Sequence, residues 1–386
     1  MKKTLIAATL SSIGVTAHGQ SGVTLYGLFD AGISYVNHSR NETGSTGRLF
    51  KYDDGVVQGS RWGIRGTEDL RRGWKALFIL ESGFNSGNGT LGQNHRAFGR
   101  EAFVGLSNDR IGTLTFGRQY SFSTDYLGKY VTGKQTVAGN YARHINNVDQ
   151  LASSRIDNSV KFNSASYEGF TFGVLYGFSN QPGAFGGSLA GMSSGNAGSS
   201  RTYSAGLRYE AGTVGIAAAY TDIRFPSSKA SGYPSPLSIA NVSFTGIQAL
   251  RTYGFGGRST IGATTAWASY THTRFVPVTG TATTFDAYDC GAKHAITQSL
   301  TAGLGYTYMH LVDALKGHWN QVDASVDYIL SKRTDIYLMG IYQIASGRNG
   351  MTLLQAQIGS NPSYFNTSGT GSNNQLAVRV GMRQQF

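Results

Sequence analysis

The stretch SRWGIRGTED, residues 60–69, puts Arg61 and Arg65 on one side of an extended chain and Trp62 and Ile64 on the other. The same alternation sets Arg155, Asp157, Ser159 and Lys161 on one side, opposite Ile156, Val160 and Phe162. Lys75 and Glu81 share a parity within WKALFILESGF. Arg100 shares parity with Ala102, Val104 and Leu106, so periodicity alone does not place it. Asp125 lies early in a long segment, 120–154, whose other charges are Lys129, Lys134, Arg143 and Asp149. The chemistry these groups offer is electrostatic selection. Arginines on one wall with acids across from them carry a transverse field, which orders water and favours small hydrated polar solutes. Rings of Arg and Lys select anions.

Bond-making chemistry is poorly represented. His38, His95, His144, His272, His294, His310 and His318 show no metal-binding spacing such as His-Glu-x-x-His. Nothing marks a Ser–His pair. The glycines at Gly254–Gly257 have no helix after them to complete a phosphate loop. Cys290 stands alone, which excludes an intrachain disulfide framework and a cysteine metal cluster. The sequence therefore predicts no catalytic residue, metal or cofactor. A net charge of +12 would suit nucleic acid, but the arginines are dispersed through strands and the N-terminus reads as an export signal.

That signal is Lys2 and Lys3, then a short apolar stretch from Leu5 to Val15, then Ala17-His18-Gly19. Cleavage is expected between Gly19 and Gln20, leaving 386 − 19 = 367 residues and a charge of +12 − 2 = +10. Beyond it no apolar run approaches the ~18 residues of a spanning helix.

The charged positions need elements to hold them, and the pattern is period two throughout. The 53 glycines and 42 tyrosines and phenylalanines (22 + 20), against 6 prolines, suit strands and turns. About sixteen segments alternate, near 22–36, 58–67, 73–84, 96–107, 111–119, 155–164, 169–178, 201–210, 213–222, 247–257, 259–271, 282–293, 298–310, 319–330, 334–345 and 374–386. Short turns are expected at 68–72, 108–110, 167–168, 211–212, 258, 295–297 and 331–333. Long connections are expected near 37–57, 85–95, 120–154, 179–200, 223–246, 272–281, 311–318 and 346–373. Segments of this length, with short turns at one end and long loops at the other, fit an antiparallel barrel that crosses a bilayer. A soluble sandwich does not fit, because one parity of most strands is Thr, Ser, Gly, Asp and Arg, which cannot drive folding in water. Lipid exposure of a mid-bilayer Arg costs ~2–4 kcal/mol. Arg61 and Arg65 therefore face an enclosed, water-filled lumen, and Trp62 and Ile64 face hydrocarbon. The aromatic excess is expected to form girdles at the two interfaces; a sugar-stacking slide is the alternative use.

Seven stretches, in order over the mature chain, resemble the general porins of Gram-negative bacteria in their Burkholderia, Bordetella and Neisseria version. They are VTLYGLFDAGISY (23–35), SRWGIRGTEDL (60–70), WKALFILESGF (74–84), REAFVGL (100–106), GTLTFGRQY (112–120), RIDNSVKF (155–162) and the terminal VRVGMRQQF. The resemblance implies an all-β, sixteen-stranded barrel, a homotrimer, and a third loop folded into the lumen. The 120–154 segment fits that loop by position, although it lacks the Pro-Glu-Phe-Gly-Gly stretch of enteric relatives. Arg61 and Arg100 match wall arginines of the family motif. With Arg155 they are expected to form the positive side of a constriction, with Glu81 and Asp125 as the opposing acids and Arg65, Lys75 and Lys161 as secondary lumen residues. Arg118 shares parity with Leu114 and Phe116 and so points outward; enteric porins carry a comparable arginine at the trimer interface. Terminal Phe386 is expected to be read by the barrel-assembly machinery.

The expected function is passive diffusion of small hydrophilic solutes, anions preferred, through the outer membrane, in contact with its lipids and lipopolysaccharide. A channel selective for phosphate or an organic acid is the alternative within transport. A barrel hydrolase or an adhesin is the alternative outside it.

Overall fold

The computed structural model describes residues 22–40, 43–178, 201–224, 237–239, 242–244, 247–277, 280–349, 352–360 and 370–386. The expected cleavage site at Gly19 and the whole 179–200 connection lie outside them.

The first strands are β1 (Gly22–Arg40), β2 (Thr46–Asp54), β3 (Arg61–Arg71), β4 (Trp74–Gly83), β5 (Glu101–Asn108), β6 (Gly112–Tyr120), β7 (Arg155–Ser164) and β8 (Phe170–Gly177). Then come β9 (Arg201–Ala211), β10 (Val214–Arg224), the small β11 (Leu237–Ile239) and β12 (Val242–Phe244), β13 (Ile247–Ile261), β14 (Thr264–Pro277) and β15 (Thr283–Ala295). The last are β16 (Leu300–Asp313), β17 (Gly317–Ile329), β18 (Thr334–Ser346), the small β19 (Arg348–Asn349) and β20 (Thr352–Leu353), and β21 (Asn374–Gln385).

Seventeen of these form one sheet. One edge of β1 pairs with β21 over Leu28–Val36. Its other edge pairs with β3 over Gly22–Leu28 and with β2 over Ala31–Arg40. β2 and β3 thus share one position in the wall, and 17 − 1 = 16 positions close into an antiparallel barrel. Among the described residues no helix is long and apolar enough to cross a membrane.

Closure decides which face meets which solvent. Leu207, Phe255, Leu304 and Val380 are 52%, 62%, 59% and 57% exposed, while Thr202, Thr252, Thr307 and Arg379, on the opposite parity, are fully buried. Apolar side chains stand outside and polar ones inside, the inverse of a water-soluble sheet. Aromatic neighbours on adjacent strands form belts on the outer face: Tyr270–Tyr288 at 4.9 Å, Tyr176–Tyr203 at 5.3 Å and Phe170–Tyr209 at 4.5 Å between ring centres.

Several expected boundaries move. The 37–57 connection contains β2, so the hairpin tip is only 41–45 and the irregular break falls at 55–60. There Gly55 takes a positive φ of 66°, and the Val57 and Gln58 amides donate to Asp30 Oδ2 at 2.6 and 2.9 Å. The 272–281 and 311–318 connections shrink to 278–282 and 314–316, because alternation continues through Arg274 and His310 beyond the apolar band. The turn expected at Arg258 falls instead at Gly262–Ala263; Arg258 is ordinary inward-parity strand. β5 begins at Glu101, not near 96.

The segment between β6 and β7 is a string of single turns: Phe122–Asp125, Leu127–Lys129, Thr132–Gln135, Gly139–Ala142 and Ile145–Asn147. It packs on the polar, inward parity of distant strands. A Cβ added to Gly206 would meet Phe122 and Tyr126, one on Gly254 would meet Leu127, and one on Gly305 would meet Thr132. These strand glycines leave the backbone bare where a second layer of chain lies against it. The Thr132 amide and hydroxyl donate to Asp289 Oδ1 at 3.0 and 2.8 Å, and the Trp267 indole joins them at 3.1 Å. Asn140 inserts into the break between β2 and β3, donating to the carbonyls of Val56 (2.6 Å) and Gly55 (3.0 Å).

Candidate functional site

Arg61 and Arg65 lie on the inward parity of β3, in register with Leu28 and Thr24, while Ile64 is opposite the outward Leu25. Arg61 Nε lies 3.4 Å from Glu81 Oε2, and Arg100 Nε lies 2.6 Å from Glu81 Oε1. Arg100 Nη2 donates to the Tyr120 hydroxyl at 3.2 Å, and Arg155 donates to the same oxygen from Nε (3.0 Å) and Nη2 (2.8 Å). The Arg155 guanidinium also sits over the Tyr120 ring, 4.8 Å from its centre. Three guanidiniums from three parts of the chain are thus joined through one carboxylate and one phenol. Tyr26 completes the carboxylate shell, donating to Glu81 Oε2 at 3.1 Å.

Arg100 belongs to the cluster because it stands one residue before β5, where the strand parity no longer binds it. Tyr120 is the member that sequence reasoning missed. It ends β6, and nothing in its spacing signals the role.

Glu81 does not oppose the arginines across the lumen: it lies between two of them. A carboxylate at 6% exposure needs its charge met close by, and two guanidiniums do so. Asp125 is likewise not free to face them, since it pairs with Lys161, whose ammonium also donates to the Tyr120 carbonyl at 2.8 Å and lies 4.7 Å from the centre of the Phe122 ring. Arg65 stacks over Tyr26 at 5.2 Å. Lys75 is at the short-turn end, 3.4 Å from the exposed Asp109.

The expected parity of β7 fails at its start. Asn158 has a positive φ of 51°, and the β6–β7 register shifts between Gly117 and Gln119. This bulge turns the alternation over. Ile156, expected outward, is fully buried in the cluster with Phe122 and Leu175, and Arg155 and Asp157 leave the parity of Ser159 and Lys161. Asp157 then meets Arg118 Nη1 at 2.5 Å and Arg96 Nη1 at 2.9 Å. Arg118, on the face of the exposed Leu114 and Phe116, also donates to the Gly99 carbonyl at 2.8 Å.

The inner segment presents Lys134, in the field of Arg61 and Arg143, and Lys129, in that of Arg208 and Arg258. Burial, then the nearby charges of Arg143, Arg61, Lys129 and Arg383, push the Lys134 ammonium down to about 8. Both acids of the segment are taken: Asp125 by Lys161, and Asp149 by His144 at 2.5 Å. The exposed charge facing the arginines is therefore positive.

The family described as Gram-negative porin matches residues 4–347. This chain belongs to that family. The porin is 33% identical to an outer membrane porin protein of Bordetella pertussis over 89% of its length and 94% of that protein's. It is 30% identical to the major outer membrane protein P.IB of Neisseria gonorrhoeae over 56% of its length and 60% of that protein's. Among solved structures, an anion-selective porin from Comamonas acidovorans has a TM-score of 0.73 at 20% identity, covering 95% of the porin and all of that chain. OmpT of Vibrio cholerae in its trimer form has a TM-score of 0.64 at 13% identity, with coverages of 95% and 100%. At those identities the likeness is one of fold. The porin is an outer-membrane β-barrel of a channel-forming family.

Proposed function

We propose that the porin passes small hydrophilic solutes with a preference for anions, and that segment 120–154 is its constriction loop. The observation that carries this is the joining of Arg61, Arg100 and Arg155 through Glu81 and Tyr120, with Lys134 and Arg143 on the facing segment. The local sum is positive: five cations against two carboxylates, Glu81, which two of them share, and Glu101 opposite it on β5. A partly dehydrated anion meets guanidiniums already oriented, while a cation meets the same field with opposite sign. The anion-selective Comamonas porin, which shares the fold, is in keeping with this reading.

We further assign a homotrimer, with Arg118 at the subunit contact, where Asp157 neutralises a charge on an apolar outward face. Phe386 is assigned to assembly, and residues 1–19 to a cleaved signal.

Planar-bilayer recordings in a KCl gradient test the pore reading. Wild-type protein is expected to give open, salt-dependent steps and a reversal potential of anionic sign. Arg61→Ala with Arg155→Ala is expected to move that potential toward zero. A cationic wild-type reversal potential would overturn anion preference, and an unchanged one in the variant would remove these arginines from the mechanism.

A further inference from the structure

A second set of arginines lies outside the lumen. Arg201 on β9, Arg224 on β10, Arg251 on β13 and Arg274 on β14 all carry the outward parity of their strands. Register brings them side by side: Arg224 is opposite Arg201, and Arg251 is opposite Arg274. All four lie at the end away from the Gly212–Thr213 and Gly262–Ala263 turns, the end that carries the long connections. One acid sits among them. Asp222 pairs with Arg224 at 2.9 Å and with Arg251 at 3.3 Å. The patch therefore sums to +4 − 1 = +3. One strand on, Asp286 is held by His272 and the Tyr270 hydroxyl at 2.8 and 2.9 Å. Arg274 is exposed and has no acidic partner among the described residues.

Directly below, on the same strands, the outer wall is hollowed. Ala218, Gly257 and Ala268 form the floor of an apolar groove of about 780 Å³, and Leu207, Ile216 and Phe255 are among its walls. Register makes it continuous: Ala218 is opposite Phe255 and Leu207, and Gly257 is opposite Ala268 and Ile216. From Arg251 to Phe255 is four residues, about 13 Å along a strand and about 10 Å in depth at the usual strand tilt, within the ~15 Å of one leaflet of a ~30 Å hydrocarbon core. Long loops of outer-membrane barrels face the exterior. The arginines thus stand at headgroup level of the outer leaflet and the groove at acyl-chain level.

We propose that this face of β9, β10, β13 and β14 is a binding site for a phosphorylated, acylated lipid of the outer leaflet. Its phosphate sits on Arg251 and Arg274, and one acyl chain lies in the Ala218–Gly257–Ala268 groove. Guanidinium forks match phosphate oxygens bidentately, and a small-residue floor between aromatic rims lets a chain lie below the general surface. The proposal rests on the outer-membrane assignment but not on anion preference in the lumen, so the two can fail separately.

Native mass spectrometry of the purified full-length porin in detergent, titrated with lipid A, dephosphorylated lipid A or inorganic phosphate, tests it. Wild type is expected to retain lipid A, to bind the dephosphorylated form more weakly, and not to lose lipid A to millimolar phosphate. Arg274→Gln, at an exposed position, is expected to weaken lipid A binding about tenfold, the scale of one charge-assisted contact. Ala268→Phe fills the groove and is expected to weaken both acylated ligands alike. Conductance is expected to be unchanged in both variants, which also reports that they fold. Wild-type affinity in both variants overturns the site. So does efficient displacement by phosphate alone, which would mean a bare anion patch. A changed subunit number in Ala268→Phe would also overturn it, by showing a second copy seated on the groove.

Discussion

Lys134 is the residue whose charge the pore can least easily keep. Four cations surround it, and burial together with their field holds its ammonium at about 8. Its folded value is depressed, so the positive charge is present below that value and lost above it. Anion preference, read as reversal potential, is expected to fall between about pH 7 and 9. Lys134→Gln is expected to flatten that titration and to match the wild type at its alkaline limit. A wild-type profile flat across this window would remove Lys134 from the conduction path. Sequence alternation located Arg61 because β3 is regular there and the apolar Trp62 and Ile64 fix its parity. It grouped Arg155 with Arg61 and Arg100, as found, but by a parity that does not hold there, because a single left-handed residue, Asn158, reverses the alternation at the start of β7. It paired the acids wrongly for a similar reason. Parity says that Glu81 faces inward but not that Arg100, beyond the end of β5, bends back to it.

At the scale of the element, the inner segment is held by a buried charged latch. His144 Nδ1 meets Asp149 at 2.5 Å, its Nε2 lies 3.5 Å from Asp289, and Thr271 donates to Asp149 at 2.8 Å. Burial alone opposes charge on His144, but Asp149 and Asp289 outweigh it and hold the imidazole up at about 10. The same contacts hold the Asp149 carboxyl below its usual range, against the burial that would raise it. The sign follows for each. The His144 contribution is complete below its unfolded value of 6.5 and lost as pH rises through about 10. The Asp149 contribution is present above 3.8 and lost as pH falls below it. Removing one member of such a buried pair costs about 3–5 kcal/mol. His144→Gln is therefore expected to increase open-channel noise at neutral pH, with barrel content by circular dichroism unchanged. Quiet recordings from that variant would show that the segment is held elsewhere. The sequence showed that a long segment joins β6 and β7, but not where it rests. The usable signal was the inward glycines, Gly206, Gly254 and Gly305, which alternation treats as mere gaps in a strand. The missed β2 has a comparable cause: it is nine residues bounded by Gly-rich turns, and its partner is only half of β1.

For the whole molecule, nearly all of the wall was legible, because every bilayer-crossing strand must repeat the same inside–outside rule over its length. Closure was not, since pairing of first strand to last leaves no trace in local pattern. It is made by the β1–β21 pairing and extended by Phe386, whose amide and carbonyl exchange hydrogen bonds with Gly27, both at 3.1 Å, and whose ring lies over that glycine, 6.2 Å from Phe29. Arg379 locks the same seam from inside, fully buried, with Asp30 at 3.5 Å and Asp53 at 3.8 Å. Phe386→Ala is expected to lower the yield of heat-modifiable, membrane-assembled protein severalfold, while the protein that does assemble keeps its conductance. Normal yield would place the assembly signal elsewhere.

The seats of the inner segment come from both ends of the chain. Asn140 is held by Gly55 and Val56, Tyr141 by Ser34 and Asp53, Thr132 by Asp289, and Asn146 by Gln357 and Gly359. A growing barrel lacks half of these anchors until its final strands are in place. The plug is therefore expected to be fully seated only once the last strands have joined the first. A protease added during insertion would find residues 121–154 cuttable before sealing and sheltered after it.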